Sequence, residues 1–281
     1  MDKRILDYKD PWLTASTAGQ CVLRAIFGAD GATLVSNGPN GDIRYLQCSQ
    51  FVHAGRINHD PAVDLYALLD EAAVRTYPFA DAHCLFFTPY ATLVPRRMFD
   101  AGQLPAYLNL LLRPDTGALD YQFEPLPEFD CYLVYGIPPA FRQHAQQFFP
   151  TAKMGHAVPP LLSHVHRMAP AEGFMVFANI RFQSVQLMVF DRRNLMFYNS
   201  FSFSDDADLL YFILLAYDQF RLDTKLVPLH LSGQIDVDTE SYALLRRYLR
   251  QVRFASLPET IHLPVGVAGK HAHRLLEVLV G

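Results

Sequence analysis

The chain has 281 residues, 51% of them hydrophobic and 19% charged, which is longer than the usual single-core domain and too apolar for a disordered or fibrous protein. Its formal charge of −4, from 24 basic and 28 acidic residues, comes without a long basic run, so nucleic acid is excluded as the expected partner. Two units of roughly 100 to 150 residues each are the natural expectation.

The longest strongly apolar run, LLYFILLAY from Leu209 to Tyr217, is bracketed by Asp208 and Asp218 and falls well short of the roughly 20 residues a membrane helix needs. The opening stretch MDKRILDYKD is charged and lacks an apolar segment of the secretory kind, so the expected compartment is the cytoplasm. Cys21, Cys48, Cys84 and Cys131 are widely spaced in apolar surroundings with no CxxC pair, the pattern of small buried thiols and not of a zinc site or a redox pair.

In chain order, Gln20–Phe27, Ala32–Ser36 and Ile43–Phe51 read as three strands separated by the turn signals GADG and NGPNGD, a meander. Asp60 followed by Pro61 is an N-cap with proline at the first helical position, and Val63, Leu65, Leu68, Leu69 and Ala72 form the apolar stripe of a helix expected to end near Tyr77-Pro78. A strand at Ala82–Phe87, the segment TLVPRRMFD, a helix near Leu104–Leu112 and strands around Tyr121–Phe123 and Cys131–Tyr135 follow. Pro138-Pro139 opens a further helix, with a short strand near Ala152–Ala157 and a helix through His164 behind it.

MAPAEG, Met168 to Gly173, is the boundary signal, after which the same order restarts. Strands are expected at Phe174–Ile180, Val185–Phe190 and Leu195–Asn199, and then a helix to about Phe220, with Ser204 as N-cap and Asp205, Asp206 and Asp208 as first-turn charges. That helix is apolar nearly all round, which predicts cover on most sides. A strand at Lys225–Leu231, a helix over Thr239–Arg250 and a strand at Val252–Ala255 complete the half.

Both halves thus read β-β-β-α-β-α-β, a ribonuclease-H-like unit used twice, which is the actin-like ATPase plan in a mixed-sheet α/β protein. The expected division is 1–168, with an insertion around 89–125, and 169–281. Four stretches carry a further resemblance: TLVPRRMFD, DCYLVYGIP (Asp130 to Pro138), YNSFSFSDDADLLYFILLAYDQF (Tyr198 to Phe220) and LHLSGQI (Leu229 to Ile235). Through them nearly the whole chain resembles a bacterial family of unknown function with the actin-like ATPase fold. The resemblance implies that fold and transfers no activity.

An actin-like ATPase holds nucleotide phosphates between two hairpin turns, one per half, where an Asp beside Gly lets backbone N–H groups approach the phosphates. Asp30 and Gly31 stand in such a turn of the first half, although Asp-Gly is also the commonest tight-hairpin signal and the structural turn is the stronger reading. In the second half Asn179 and Arg181 stand where Asp-x-Gly is expected. Asn179 brings no charge for Mg²⁺, and Arg181 removes the small residue while keeping the ability to bind an anion through its side chain. The adenosine-side strand end offers Ser232 and Gly233, but Gln234 crowds the second glycine position.

No catalytic residue and no metal ligand set emerges. A two-metal nuclease needs converging carboxylates, and Asn179 occupies the first such position. His156, His164 and His166, and the second group His262, His271 and His273, match no standard zinc spacing. Two readings stand. The leading one is a non-catalytic interaction or scaffold module with a protein partner, no cofactor, and a cleft closed or filled by side chains. The alternative binds ATP or ADP, with Mg²⁺, between the halves through Asp30, Gly31, Asn179, Arg181, Ser232 and Gly233, with weak or no hydrolysis.

Overall fold

The computed structural model of the chain describes residues 2–52, 60–112, 117–264, 267 and 272–281. The N-terminal half runs β1 (Asp2–Lys9), β2 (Val22–Gly28), β3 (Gly31–Asn37), β4 (Ile43–Phe51), α1 (Pro61–Glu71) and β5 (Asp81–Phe87). It continues through β6 (Ala91–Pro95), α2 (Leu104–Leu108), β7 (Asp120–Leu126), β8 (Cys131–Ile137), α3 (Pro139–Phe148), β9 (Lys153–His156) and α4 (Val158–Met168). The C-terminal half comprises β10 (Phe174–Ile180), β11 (Ser184–Asp191), β12 (Asn194–Ser202), α5 (Asp206–Gln219), β13 (Leu229–Gly233), α6 (Glu240–Tyr248), β14 (Val252–Phe254) and α7 (Leu276–Val280).

The duplicated plan is visible in the strand order. The first sheet is β1-β4-β3-β2-β5-β9 and the second β12-β11-β10-β13-β14. In each, three antiparallel strands are followed by two that run parallel to the first of the three. The parallel additions need helical crossovers, which α1, α5 and α6 supply. Strands β6, β8 and β7 form a separate three-stranded sheet in the N-terminal half.

Strand alternation distributes the core. Leu23, Ala25 and Phe27 of β2 meet Leu65 and Leu69 of α1, whereas Ile26 on the opposite face of the sheet joins Val278 and Leu279 of α7. In the second sheet Val176, Ala178 and Ile180 of β10 meet Leu209 and Ile213 of α5. The other face of β10, through Met175 and Phe177, shares a cluster with Leu161, Leu162 and Val165 of α4. Residues of both halves therefore form one core, and α7 returns to the first sheet from the far end of the chain.

Three local expectations are corrected, and one strand goes unanticipated. The N-terminal stretch forms β1, which pairs antiparallel with β4; its charged residues suit a sheet edge, where they blunt further pairing. Helix α1 ends at Glu71 because the Ala72 N–H closes onto the Leu69 carbonyl, 3.3 Å away, and its cap leaves in extended conformation. The N-cap of α5 is Asp205, whose carboxylate accepts from the Asp208 N–H at 2.8 Å, and not Ser204. Finally, α5 is not covered on most sides: Tyr211 and Leu215 are 60% and 38% exposed. Asp60, by contrast, caps α1 as expected, accepting from the Ala62 N–H at 2.9 Å.

Candidate functional site

The repeated meander brings the β2–β3 turn of one half against the β10–β11 turn of the other. Arg181 follows the last residue of β10, and its backbone N–H donates to the Ser184 carbonyl across the turn at 2.8 Å. Its side chain is buried. The guanidinium donates to Asp30 Oδ1 from Nη2 at 3.1 Å and from Nε at 3.3 Å, and to Glu277 Oε2 from Nη1 at 2.8 Å. Its central carbon lies 4.6 Å from the centre of the Phe87 ring, a cation–π contact on the remaining face.

Charge balance explains the protonation of this triad. Burial by itself depresses the Arg181 pKa, but the facing charges of Asp30 and Glu277 outweigh it and hold the group firmly cationic. Burial raises the Glu277 pKa, opposed by Arg181. One carboxylate oxygen of each acid, Asp30 Oδ2 and Glu277 Oε1, is buried without a hydrogen-bond partner among the described residues. The cluster is a cation clamped between two acids, with three of its five N–H groups donated to carboxylates.

The glycines serve the same closure. A Cβ on Gly28 would lie 2.7 Å from Arg181 Nη2, and one on Gly31 would lie 2.4 Å from the Ser49 carbonyl and 2.8 Å from the Phe182 ring. The bare backbone that would admit a phosphate here admits Arg181 and Phe182. At the third element, Ser232 Oγ donates to Asn179 Oδ1 at 2.8 Å, while Asn179 Nδ2 donates to Gln186 Oε1, also at 2.8 Å. Gly233 has φ +86°, and a Cβ there would sit 2.0 Å from the Ile180 carbonyl; the next N–H, from Gln234, donates to that carbonyl at 2.6 Å.

All six residues singled out in the sequence therefore lie in one region, where Arg181 pairs with Asp30 and Ser232 donates to Asn179. What remains beside them is a cavity of about 20 Å³ bordered by Arg181, Glu277, Gln234, Thr33 and Arg274. That is room for about one water, against several hundred Å³ for a pocket that encloses a small-molecule ligand. ATP or ADP with Mg²⁺ does not fit the residues present, because the anion-binding side chain is already neutralised and the space is filled.

Sequence reasoning missed Glu277, Phe87 and Phe182. A signal for Glu277 existed: it is the single acid in LLEVLV, and a lone charge in an apolar run is expected to be paired when buried. Its neighbours strengthen the closure, with Arg274 ion-paired to Asp236 and His273 Nε2 bonded to the Ile235 carbonyl at 2.5 Å.

The histidines form no ligand set, and among the described residues no group of three His, Cys, Asp or Glu converges. His156 is fully buried, its Nδ1 accepts from the Val158 N–H at 3.2 Å, and burial lowers its pKa to about 3. His164 is buried and His166 pairs with Glu128 at 3.6 Å; His271 lies outside the described residues. The four cysteines are free, and burial pushes the Cys84 thiol up to about 12, the opposite of a reactive thiol. No helix among the described residues is long and apolar enough to cross a membrane.

Residues 42–252 match a family described as "Protein of unknown function (DUF3822)". The chain belongs to that family. No curated protein matches this DUF3822 chain in sequence. Among solved structures it is similar to a Bacteroides thetaiotaomicron VPI-5482 protein described as having an actin-like ATPase fold and unknown function. The TM-score is 0.74 at 17% identity, covering 86% of this chain and 93% of that one. It is also similar to a chain of the PilM-PilN type IV pilus biogenesis complex, with TM-score 0.60 at 14% identity, covering 92% and 96% of the two chains. At these identities the likeness shows the fold, and the DUF3822 chain has the actin-like ATPase fold anticipated from its element order.

Proposed function

We propose that this DUF3822 protein is a non-catalytic interaction or scaffold module, in which an internal ion triad stands where the fold's relatives would be expected to hold a nucleotide. Its two subdomains would be 1–168, carrying the three-stranded sheet as an insertion, and 169–281, whose final helix laps back over the first sheet. The observation that carries this reading is the Arg181 guanidinium, shared between Asp30 and Glu277 with about 20 Å³ of free space beside it. A protein partner is in keeping with one of the similar structures, itself described as the PilM-PilN complex.

The test is thermal unfolding with and without millimolar ATP or ADP, each with and without Mg²⁺. A ligand at about 100 times its dissociation constant adds roughly 2.7 kcal/mol and raises the midpoint by several degrees. The expected result is no shift. A Mg²⁺-dependent rise would overturn the reading in favour of a nucleotide binder, in which the triad opens and Arg181 exchanges the Glu277 carboxylate for phosphate.

A further inference from the structure

Helix α5 leaves a face that the described residues do not cover. Its inner side, through Leu209 and Ile213, packs on β10, whereas Ala207, Tyr211, Leu214 and Asp218 recur at helical spacing on the outer side. Together with Leu215 and with Tyr248 of α6 they border a shallow groove of about 350 Å³, along which Tyr211 and Tyr248 are more than half exposed. Contiguous apolar surface rimmed by charge marks an interaction site, whereas single exposed apolar residues are ordinary.

The charges around the groove indicate what covers it. Helices α5 and α6 run side by side in the same direction. At their starts Ser241 Oγ of α6 donates to the Asp206 carboxylate of α5, and beyond their ends the Arg250 N–H donates to the Thr224 carbonyl at 3.0 Å. Asp205, Asp206, Asp208, Asp238 and Glu240 stand at the starting end, and no Lys or Arg occurs within 202–220 or 234–245. Arg221, Lys225, Arg246, Arg247 and Arg250 gather at the other end, against Asp218 and Asp223. Those bases are all exposed, and none is ion-paired among the described residues. This sorting suits the dipole of each helix, and it also makes the face its own complement. A twofold axis lying across the two helices stacks each on its counterpart antiparallel, which sets the acidic end of one copy on the basic end of the other. Parallel stacking would set acid on acid, which costs several kcal/mol. An isologous contact requires a self-complementary patch of this kind.

We propose that the outer face of α5 and α6 is a homodimer interface, on which a second copy of this chain lies antiparallel with Tyr211, Leu215 and Tyr248 buried between the two. The apolar groove supplies the contact area, and the sorted charges fix its direction. This goes beyond the interaction-module reading and does not rest on it, because the face lies on the far side of α5 from the sheet that carries Arg181.

The test is sedimentation equilibrium of the full chain over about 1–200 µM. A face two helices wide falls at the small end of specific interfaces, so a dissociation constant of about 10 µM is expected, with a limiting mass of twice the 31.8 kDa chain. Tyr211→Glu places a charge at the centre of the contact and should weaken dimerisation at least tenfold; Tyr211 is exposed in the single chain, so the variant is expected to fold. Arg247→Glu, at a fully solvent-facing position, turns part of the basic end acidic and should weaken it about tenfold. Val63→Glu, on the exposed side of α1, should leave the dissociation constant unchanged. A chain that stays monomeric at the top of the concentration range overturns the proposal and leaves the face to a different protein. Assembly beyond a dimer, which a twofold contact does not produce, overturns it as well, as does a dimer that neither Tyr211→Glu nor Arg247→Glu weakens. The wild-type mass decides the first two outcomes without any variant.

Discussion

Replacing Arg181 by Ala separates the two readings of the cleft. In the structure the side chain is the shared counter-charge of two acids whose own side chains are only 9% exposed. Removing one partner of a buried ion pair leaves the other charge uncompensated and costs about 3–5 kcal/mol. Here two acids lose the same cation and Phe87 loses its cation–π contact, so the upper part of that range applies. For a chain this long each kcal/mol moves the midpoint by roughly 2–3 °C, which places the Arg181→Ala midpoint about 8–15 °C below wild type. The effect should shrink as pH falls. Burial already raises the Glu277 pKa, and without Arg181 the main opposition to that rise is gone, leaving only the hydrogen bond from Asn179. In the variant the folded chain binds the Glu277 proton at a pH where the unfolded chain has released it, so stability increases towards acid through that window. The assay is chemical or thermal denaturation at pH 8 and pH 5. Replacing the whole triad with apolar residues of similar volume, Arg181→Met with Asp30→Leu and Glu277→Met, should recover most of the loss. A drop of less than about 0.5 kcal/mol in Arg181→Ala, the range for surface substitutions, would refute the triad as a structural lock and leave Arg181 free for a ligand.

The pH dependence of the wild-type chain should carry the mark of His156. With a folded pKa of about 3 against roughly 6.5 unfolded, it binds its proton in the unfolded state first. Its contribution is therefore present above about pH 6.5 and is lost on acidification, by up to about 1.4 kcal/mol per pH unit. Denaturation midpoints compared between pH 7 and pH 5 should show a shallower decline in His156→Gln, and an identical slope would contradict this account. Gly31→Ala should destabilise by about 1–3 kcal/mol through overpacking, because the added methyl meets the Ser49 carbonyl as well as the Phe182 ring. Adding Phe182→Ala should not restore stability, since the backbone oxygen remains. A phosphate-loop role for Gly31 instead predicts near-wild-type stability in Gly31→Ala, so unchanged unfolding would count against the closure.

Local patterns in the chain foretold local structure. Asp60-Pro61 and the apolar stripe behind it start α1 where the sequence places it, and the repeated three-strand meander with its alternating helices announces the duplicated sheet. These signals survive in a single sequence because a cap, a turn or a two-residue alternation is satisfied by neighbours a few positions away. Where a local rule was ambiguous, it erred by small steps: Ser204 and Asp205 are both capping residues, and only the hydrogen bond to the Asp208 N–H selects the second. The charged strand β1 escaped notice because it exists through pairing with β4, some 40 residues later.

The candidate site divides the same way. Asp30, Asn179, Arg181 and Ser232 could be picked out from the hairpin and strand-end positions that the repeat assigns them. What they do there was decided by residues far away in the chain. Arg181 meets Asp30 across 151 positions and Glu277 across 96, and no periodicity encodes such a meeting. In the sequence an arginine in a phosphate turn reads as the loss of the small residue there, with the side chain still able to bind an anion. Only the packing of two turns and a returning helix brings two carboxylates within 3.1 Å of one guanidinium, because a buried charge takes the counter-charge that tertiary structure puts beside it.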